Sequence, residues 1–166
     1  MASLPTASFV AITIVSGGQT GVDRAALDTA LEIGIPCGGW CPRGRRAEDG
    51  AIPSTYPLQE TESRNYKERT KLNLRDSDAT LVLTWGELSG GTEYTVRLAE
   101  RMGKPCFIVF LNAPVDPYLV FEWMMVNNVQ VLNIAGSRES KHPGIYDEAR
   151  RFLRAVLVQA VYLVPE

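Results

Sequence analysis

The apolar positions of this chain fall in short runs that alternate with stretches of helical spacing. Val10–Val15 is an apolar run that ends in Ser16–Gly17–Gly18–Gln19–Thr20–Gly21. From Asp23 to about Ile33, Ala26, Leu27, Ala30, Leu31 and Ile33 supply the apolar side of a helix. The chain thus opens as strand, glycine-rich turn and helix. A short strand is expected near Gly34–Gly38, and Thr61 and Ser63 are cap candidates for a helix running to about Leu74. Ala79–Thr84 predicts a buried strand, and Ser89–Gly90–Gly91–Thr92–Glu93 a second glycine turn opening a helix to Met102, with Gly103 as its stop. Pro105–Leu111 is the next strand, Pro117 starts a helix through Met125, and Val129–Ile134 is a further strand. Gly136–Ser137–Arg138–Glu139–Ser140 is a third loop. The last helix runs from about Gly144 to Leu163, with Ile145, Ala149, Phe152, Leu153, Val156 and Ala160 on one face.

Some five apolar strands alternating with helices predict an α/β protein, a three-layer Rossmann-like fold with a mostly parallel central sheet. Residues 1–8 read as a flexible N-terminal tail and 9–164 as a single ligand-binding domain. In such folds the loops leaving the carboxyl ends of the strands gather binding groups, so the three Gly/Ser-rich loops are expected to converge. Residues 36–60, rich in Gly, Pro and Arg, make a connection long enough to suggest a functional loop.

Bulk properties narrow the choice. The 166 residues suit one sizeable core, and 45% hydrophobic with 22% charged residues is the balance of a soluble globular domain. A formal net charge of -2 argues against nonspecific nucleic-acid binding. No apolar run has the length of a membrane span or the build of a signal peptide. Cys37, Cys41 and Cys106 are too few and odd in number for a disulfide scaffold, which points to a reducing, cytoplasmic setting.

The candidate chemistry lies in the loops. Gly17, Gly18 and Gly21 let the first turn approach an anion at the positive end of a helix, with Gln19 and Thr20 as donors to its oxygens. The alternative is a tight strand–helix turn with no ligand. The turn is neither a Walker loop nor a full GxGxxG fingerprint. Asp23 is either a helix-terminus charge or a ligand contact. Arg43, Arg45 and Arg46 match phosphate oxygens, or else form a solvated cluster paired with Glu48 and Asp49. Ser89, Gly90, Gly91 and Thr92 are a second anion loop. Ser137, Arg138 and Ser140 complete a phosphate or oxo-anion site, or Arg138–Glu139 is a local ion pair and Lys141–Pro143 only a helix approach. Asp76 and Asp78 read as turn and cap residues, not a catalytic pair. His142 is the sole histidine, which excludes a histidine-built metal centre, and Cys37 with Cys41 falls short of the four ligands of a structural site.

Several segments together, SGGQTGVDRAALDTA, GGWCPRGRRAEDGAIP, YPLQET, RDSDATLVL, SGGT and NIAGSRESKHPGI, resemble the molybdenum cofactor carrier protein family over roughly residues 10–157. That family sits among Rossmann-like proteins related to the lysine decarboxylase-like phosphoribohydrolases. The resemblance implies an oligomer, dimeric or tetrameric, that binds molybdenum cofactor (molybdopterin), a phosphorylated pyranopterin, for storage, protection or delivery to molybdoenzymes. The cofactor's dithiolene already chelates the metal, so protein metal ligands are unnecessary. In this reading Trp40 stacks on the pterin or merely anchors its loop. Glu93 accepts N–H donors from the ring or stabilises the first turn of its helix. The apolar segment Phe121–Trp123–Met124–Met125 is core or a subunit contact. The alternatives are a nucleoside 5'-monophosphate phosphoribohydrolase-like enzyme and a nucleotide-sensing module. The related hydrolases carry Pro-Gly-Gly-x-Gly-Thr-x-x-Glu, whereas here Glu93 directly follows Thr92 and the proline and middle glycine are missing, which speaks against turnover.

Overall fold

A computed structural model describes residues 11–162. Val10, the expected tail at residues 1–8 and the expected helix end at Leu163 lie outside the described residues. The elements are β1 (Thr13–Val15), α1 (Val22–Ile33), β2 (Cys37–Gly38), β3 (Trp40–Cys41), β4 (Arg46–Ala47), β5 (Gly50–Ala51), β6 (Gln59–Glu60), α2 (Tyr66–Arg75), β7 (Ala79–Thr84), α3 (Gly90–Arg101), β8 (Cys106–Phe110), α4 (Pro117–Val126), β9 (Val131–Gly136) and α5 (Ile145–Tyr162). Five strands form a parallel central sheet in the order β2-β1-β9-β7-β8. The last strand in the chain therefore sits in the middle of the sheet. α5 packs on α1 and α4, while α2 packs on α3, giving the three layers that the alternating pattern predicts.

The hydrophobic pattern explains this arrangement. Every residue of β7 is buried, as expected of a parallel strand covered on both faces. Ile14, Leu81, Leu83, Leu132 and Ile134 from the sheet meet Val22, Ala26 and Ala30 of α1 and Ile145, Leu153 and Leu157 of α5 in one core. α1 stops at Gly34, which takes the left-handed cap conformation at φ 78. α4 begins with Pro117 after Asp116, whose carboxylate accepts from Tyr118 N.

Two expectations need correction. The cap of α2 is Asn65, whose side chain accepts from Lys67 N at 2.9 Å, and not Thr61 or Ser63. Those two act one step earlier: Thr61 Oγ1 donates to Ser63 O, and Ser63 Oγ accepts from Asn65 N. The segment 36–60 is also more ordered than a loop. After β2 it forms a β4–β5 hairpin and brings β3 beside β6, around a second small core of Leu27, Cys41, Ala47, Ile52 and Tyr56. Asn73 clips this segment to α2 by accepting from Trp40 N at 2.7 Å and donating to Trp40 O at 3.0 Å. Among the described residues no helix is long and apolar enough to cross a membrane.

Candidate functional site

The carboxyl ends of β1, β9 and β7 open onto a cleft of about 400 Å³. Gln19 and Asp23 enter from the turn after β1, and Ala135 to Arg138 from the end of β9. Ser89 to Thr92 enter from the start of α3, and Tyr66, Arg69 and Thr70 from α2. The central position of β9 is what brings the first and third loops together, as ligand sites at the carboxyl edge of an α/β sheet require.

The start of α3 is open. Its cap residue, Ser89, is extended and makes no side-chain capping bond. Gly90 adopts φ 56, and a Cβ added to Gly91 would meet nothing within 4 Å. Lys141 Nζ donates to Ser89 Oγ, which sets an ammonium beside the positive end of the helix. The same cleft holds a cationic and aromatic cluster contributed by α2, α3 and the β4 and β9 ends. The guanidinium groups of Arg46, Arg138 and Arg69 stand 4.7, 5.6 and 5.7 Å from the centre of the Tyr66 ring, and Lys67 lies over Tyr94 at 5.5 Å.

The first loop is filled by the protein itself. Gln19 N donates to Asp23 Oδ2 at 3.1 Å, Thr20 N to Gln19 Oε1 at 3.0 Å, and Val22 N to Ser137 O at 3.1 Å. A Cβ at position 17 would overlap the guanidinium of Arg69, so Gly17 is the seat of that side chain. Gly18 faces Ile52 and Leu58. Gly21, at φ 80 and ψ -126, lies against the backbone of Ser137 and Glu139. Arg69 pairs with Asp23 at 3.2 Å, with side-chain exposures of 13% and 4%. Burial pushes the Asp23 carboxyl above its ordinary range, against the pull of Arg69 and the Gln19 N–H.

Glu48 joins three segments. Its carboxylate accepts from Thr20 Oγ1, from Ser140 N at 3.2 Å and from Ser140 Oγ at 2.5 Å, and it pairs with Arg138 at 3.6 Å. Burial alone would raise this carboxyl, but the Ser140 and Thr20 hydrogen bonds and the Arg138 charge outweigh it and hold it below its ordinary range. Asp49 pairs with Arg24, so neither acid serves the arginine cluster beside it in sequence.

Of the residues singled out in the sequence, Gln19, Asp23, Ser89, Gly90, Gly91, Thr92, Ser137 and Arg138 line the cleft. Ser137 is buried there, its hydroxyl 2.8 Å from that of Thr84. Arg46 reaches the cleft's edge through Tyr66. The others do not line it. Trp40 donates Nε1–H to Asp76 at 2.8 Å, which fits an anchor. Arg45 directs its guanidinium to the carbonyls of Ile52, Pro53, Tyr56 and Leu58 and holds the 36–60 segment closed. Arg43 is exposed and meets Ser63 through its backbone. Glu93 pairs with Arg97 at 2.5 Å along α3. Arg138 and Glu139 are not a local pair: Glu139 accepts from Gly144 N and Tyr146 N at the start of α5. Asp78 accepts from Gln130 N and Val131 N, the turn role read from the sequence.

Sequence reasoning missed the α2 contribution and Lys141. Tyr66, Arg69 and Thr70 lie at i, i+3 and i+4, so they share one face, but a polar helical face also suits open solvent. Only the packing of α2 against α3 turns that face toward the cleft.

Comparisons with known proteins give the family and the fold. No curated protein matches the chain. A crystal structure of "Putative molybdenum carrier protein" from Syntrophus aciditrophicus SB is 45% identical, with a TM-score of 0.86 over 89% of this chain and 96% of that one. Residues 14–157 match the family described as the circularly permutated YpsA SLOG family. With its last strand at the middle of the sheet and a match that spans the whole cleft, the chain belongs to the circularly permutated YpsA SLOG family.

Proposed function

We propose that the cleft binds a phosphorylated, ring-bearing anion, and that the chain carries molybdenum cofactor as cargo, storing or delivering it without turnover. The observation that carries this reading is the open start of α3. A phosphate seated at Gly90 and Gly91 would meet backbone N–H groups at the positive end of the helix, with Lys141 and Arg138 beside it. Tyr66 and Tyr94 offer aromatic surface to the ring. The 45% identical protein from Syntrophus aciditrophicus is named a molybdenum carrier, which supports a molybdenum-related cargo.

Binding outranks phosphoribohydrolase chemistry for a specific reason. Cleavage of a nucleoside 5'-monophosphate needs a carboxylate placed at the ribose. The Asp23 carboxylate is held by Arg69 and Gln19 N, and Glu93 is turned along α3 to Arg97. The reading also assigns a dimer or tetramer, in which the exposed Tyr118, Leu119 and Val126 of α4 would lie in the subunit contact, and molybdoenzymes of the cytoplasm as recipients. Titration of anaerobically prepared protein with molybdenum cofactor and with AMP, while free adenine is followed, tests the cargo. Saturable cofactor binding with no adenine released supports it. Adenine release from AMP without cofactor binding overturns it. Light scattering tests the assembly, and a monomer at micromolar concentration would refute that part.

A further inference from the structure

The central sheet has two edges, and they differ. β2, at one, is two residues long. β8, at the other, runs Cys106–Phe110 with no charged residue, no proline and an unbroken register with β7. Short length, charge, proline and bulges are the usual guards of a sheet edge, and β8 lacks the last three. The ladder shows which of its groups are left over. Thr80 N donates to Pro105 O and Leu111 N to Thr84 O, so the odd-numbered residues face β7. The N–H and C=O groups of Cys106, Ile108 and Phe110 therefore point away from the sheet, and no strand meets them among the described residues. Phe110 O takes Ala113 N at 3.2 Å and keeps a second lone pair.

The apolar surface continues past this edge. Phe107 of β8 meets the Trp123 ring of α4 with centroids 5.4 Å apart. On the helix, the buried Val120 and Met124 lie to one side of Trp123. Leu119 and Val126, at i−4 and i+3 from Trp123, lie to its other side and are 49% and 74% exposed. Trp123 thus sits over the last strand, with core behind it and an exposed apolar stripe beyond it.

We infer that β8 pairs antiparallel with β8 of a second copy, across a two-fold axis normal to the sheet beside Ile108. The inference rests on the reading of the chain as a homo-oligomer with α4 in its contact, and adds how that contact is built. The outward residues are evenly spaced about Ile108. The axis therefore sets Ile108 against Ile108 of the partner subunit and Cys106 against Phe110 of the partner subunit, each pair exchanging N–H···O=C bonds. An axis normal to the sheet keeps both copies of α4 on one face, so the two stripes of Leu119 and Val126 meet over the joined strands. A second copy fits better than an unrelated strand because this one operation covers both the free edge and the stripe.

The test combines a thiol cross-link with light scattering on the full chain. Phe110→Cys sets a thiol opposite Cys106 of the partner subunit, at a Cα spacing of about 5.5 Å that a disulfide spans. Mild oxidation should give a covalent dimer of this variant and none of the wild type, and adding Cys106→Ser should abolish it. Ile108→Pro removes an N–H that the β7 ladder does not use, so the dissociation constant of the dimer should rise at least about tenfold. Ile108→Lys, a charge on the half-buried edge, should act alike where the proline variant fails to fold, which thermal melting reports. A dimer that gives no cross-link and resists both changes at Ile108, yet dissociates on Val126→Glu, overturns the β8 pairing and leaves the α4 contact standing. A monomer at micromolar concentration overturns both, and leaves the edge to a strand of another protein or of residues 1–10.

Discussion

The chain has two glycine-rich turns between a strand and a helix, and they do opposite things. In the turn after β1, glycine makes room for protein: Arg69 covers Gly17, and the third loop lies against Gly21. Its N–H groups at Gln19, Thr20 and Val22 already have protein acceptors. In the turn before α3, glycine borders empty space at Gly91, and the helix start has no side-chain cap. The first turn is the more eye-catching in sequence and the second is the better anion site. A glycine turn is evidence of close approach, and only its neighbours reveal whether the approaching group is a ligand or another part of the chain.

The largest effects should come from what fills the first turn. Arg69→Met removes the partner of a nearly fully buried carboxylate, and a loss of about 3 kcal/mol or more is expected in denaturant unfolding. The pH dependence gives the cause. Burial already raises the Asp23 carboxyl, and Arg69 is the main group opposing that rise. Without it the folded-state value climbs further above the unfolded value of about 3.9. Stability of the variant should therefore be greatest below that pH and fall as pH rises through the raised folded value. A flat pH profile would remove desolvation of Asp23 as the explanation. Gly21→Ala comes next. Its φ 80, ψ -126 backbone is one that essentially only glycine adopts, and a Cβ there meets the backbone of Ser137 and Glu139. A loss of about 2 kcal/mol or more is expected, read as a drop in melting temperature.

Much of this architecture was legible in the sequence, and the reasons differ by region. β7 and α4 were placed almost to the residue because a fully apolar run and a proline start are local signals. The loops' convergence followed from the α/β pattern. The split among the three clustered arginines was not legible. Arg45 adopts φ 53 and turns inward to four carbonyls, Arg46 turns toward Tyr66, and Arg43 faces solvent. Three neighbouring arginines have three environments because Arg43 and Arg45 lie in the turn before β4, where Gly44 and Arg45 take positive φ, and only Arg46 belongs to the strand, so the side chains leave the backbone in different directions. Arg69 was missed for another reason: its partner, Asp23, lies 46 residues away.

Glu48 sets how firmly the filled turn is tied to the third loop. Glu48→Ala should cost about 1–2 kcal/mol, through the hydrogen bonds it accepts from Thr20 and Ser140. Since the carboxyl is held below its ordinary range, its contribution is present above the unfolded value of about 4.3 and lost as pH falls through the lowered folded value. The protection factor of Ser140 N, the slowing of its exchange relative to the unstructured amide at the same pH, should accordingly fall in acid in the wild type and be low at every pH in Glu48→Ala. Equal protection of that amide in both proteins would show that the loops hold together without Glu48.

The smallest effect on stability should fall on the open turn, and there the comparison is sharpest. Gly91→Ala adds a methyl group to space that holds no protein atom within 4 Å, at a position without positive φ, so folding should change by less than about 0.5 kcal/mol. The methyl group then stands where a phosphate would approach the first turn of α3, and phosphate-bearing ligands should bind roughly tenfold more weakly. Gly21→Ala and Gly91→Ala are the same chemical change in two similar turns. If Gly91→Ala instead destabilised the fold and left ribose 5-phosphate binding unchanged, the second turn would be a structural one like the first. The anion would then have to be sought at Arg46 and Arg138, the arginines beside the Tyr66 ring.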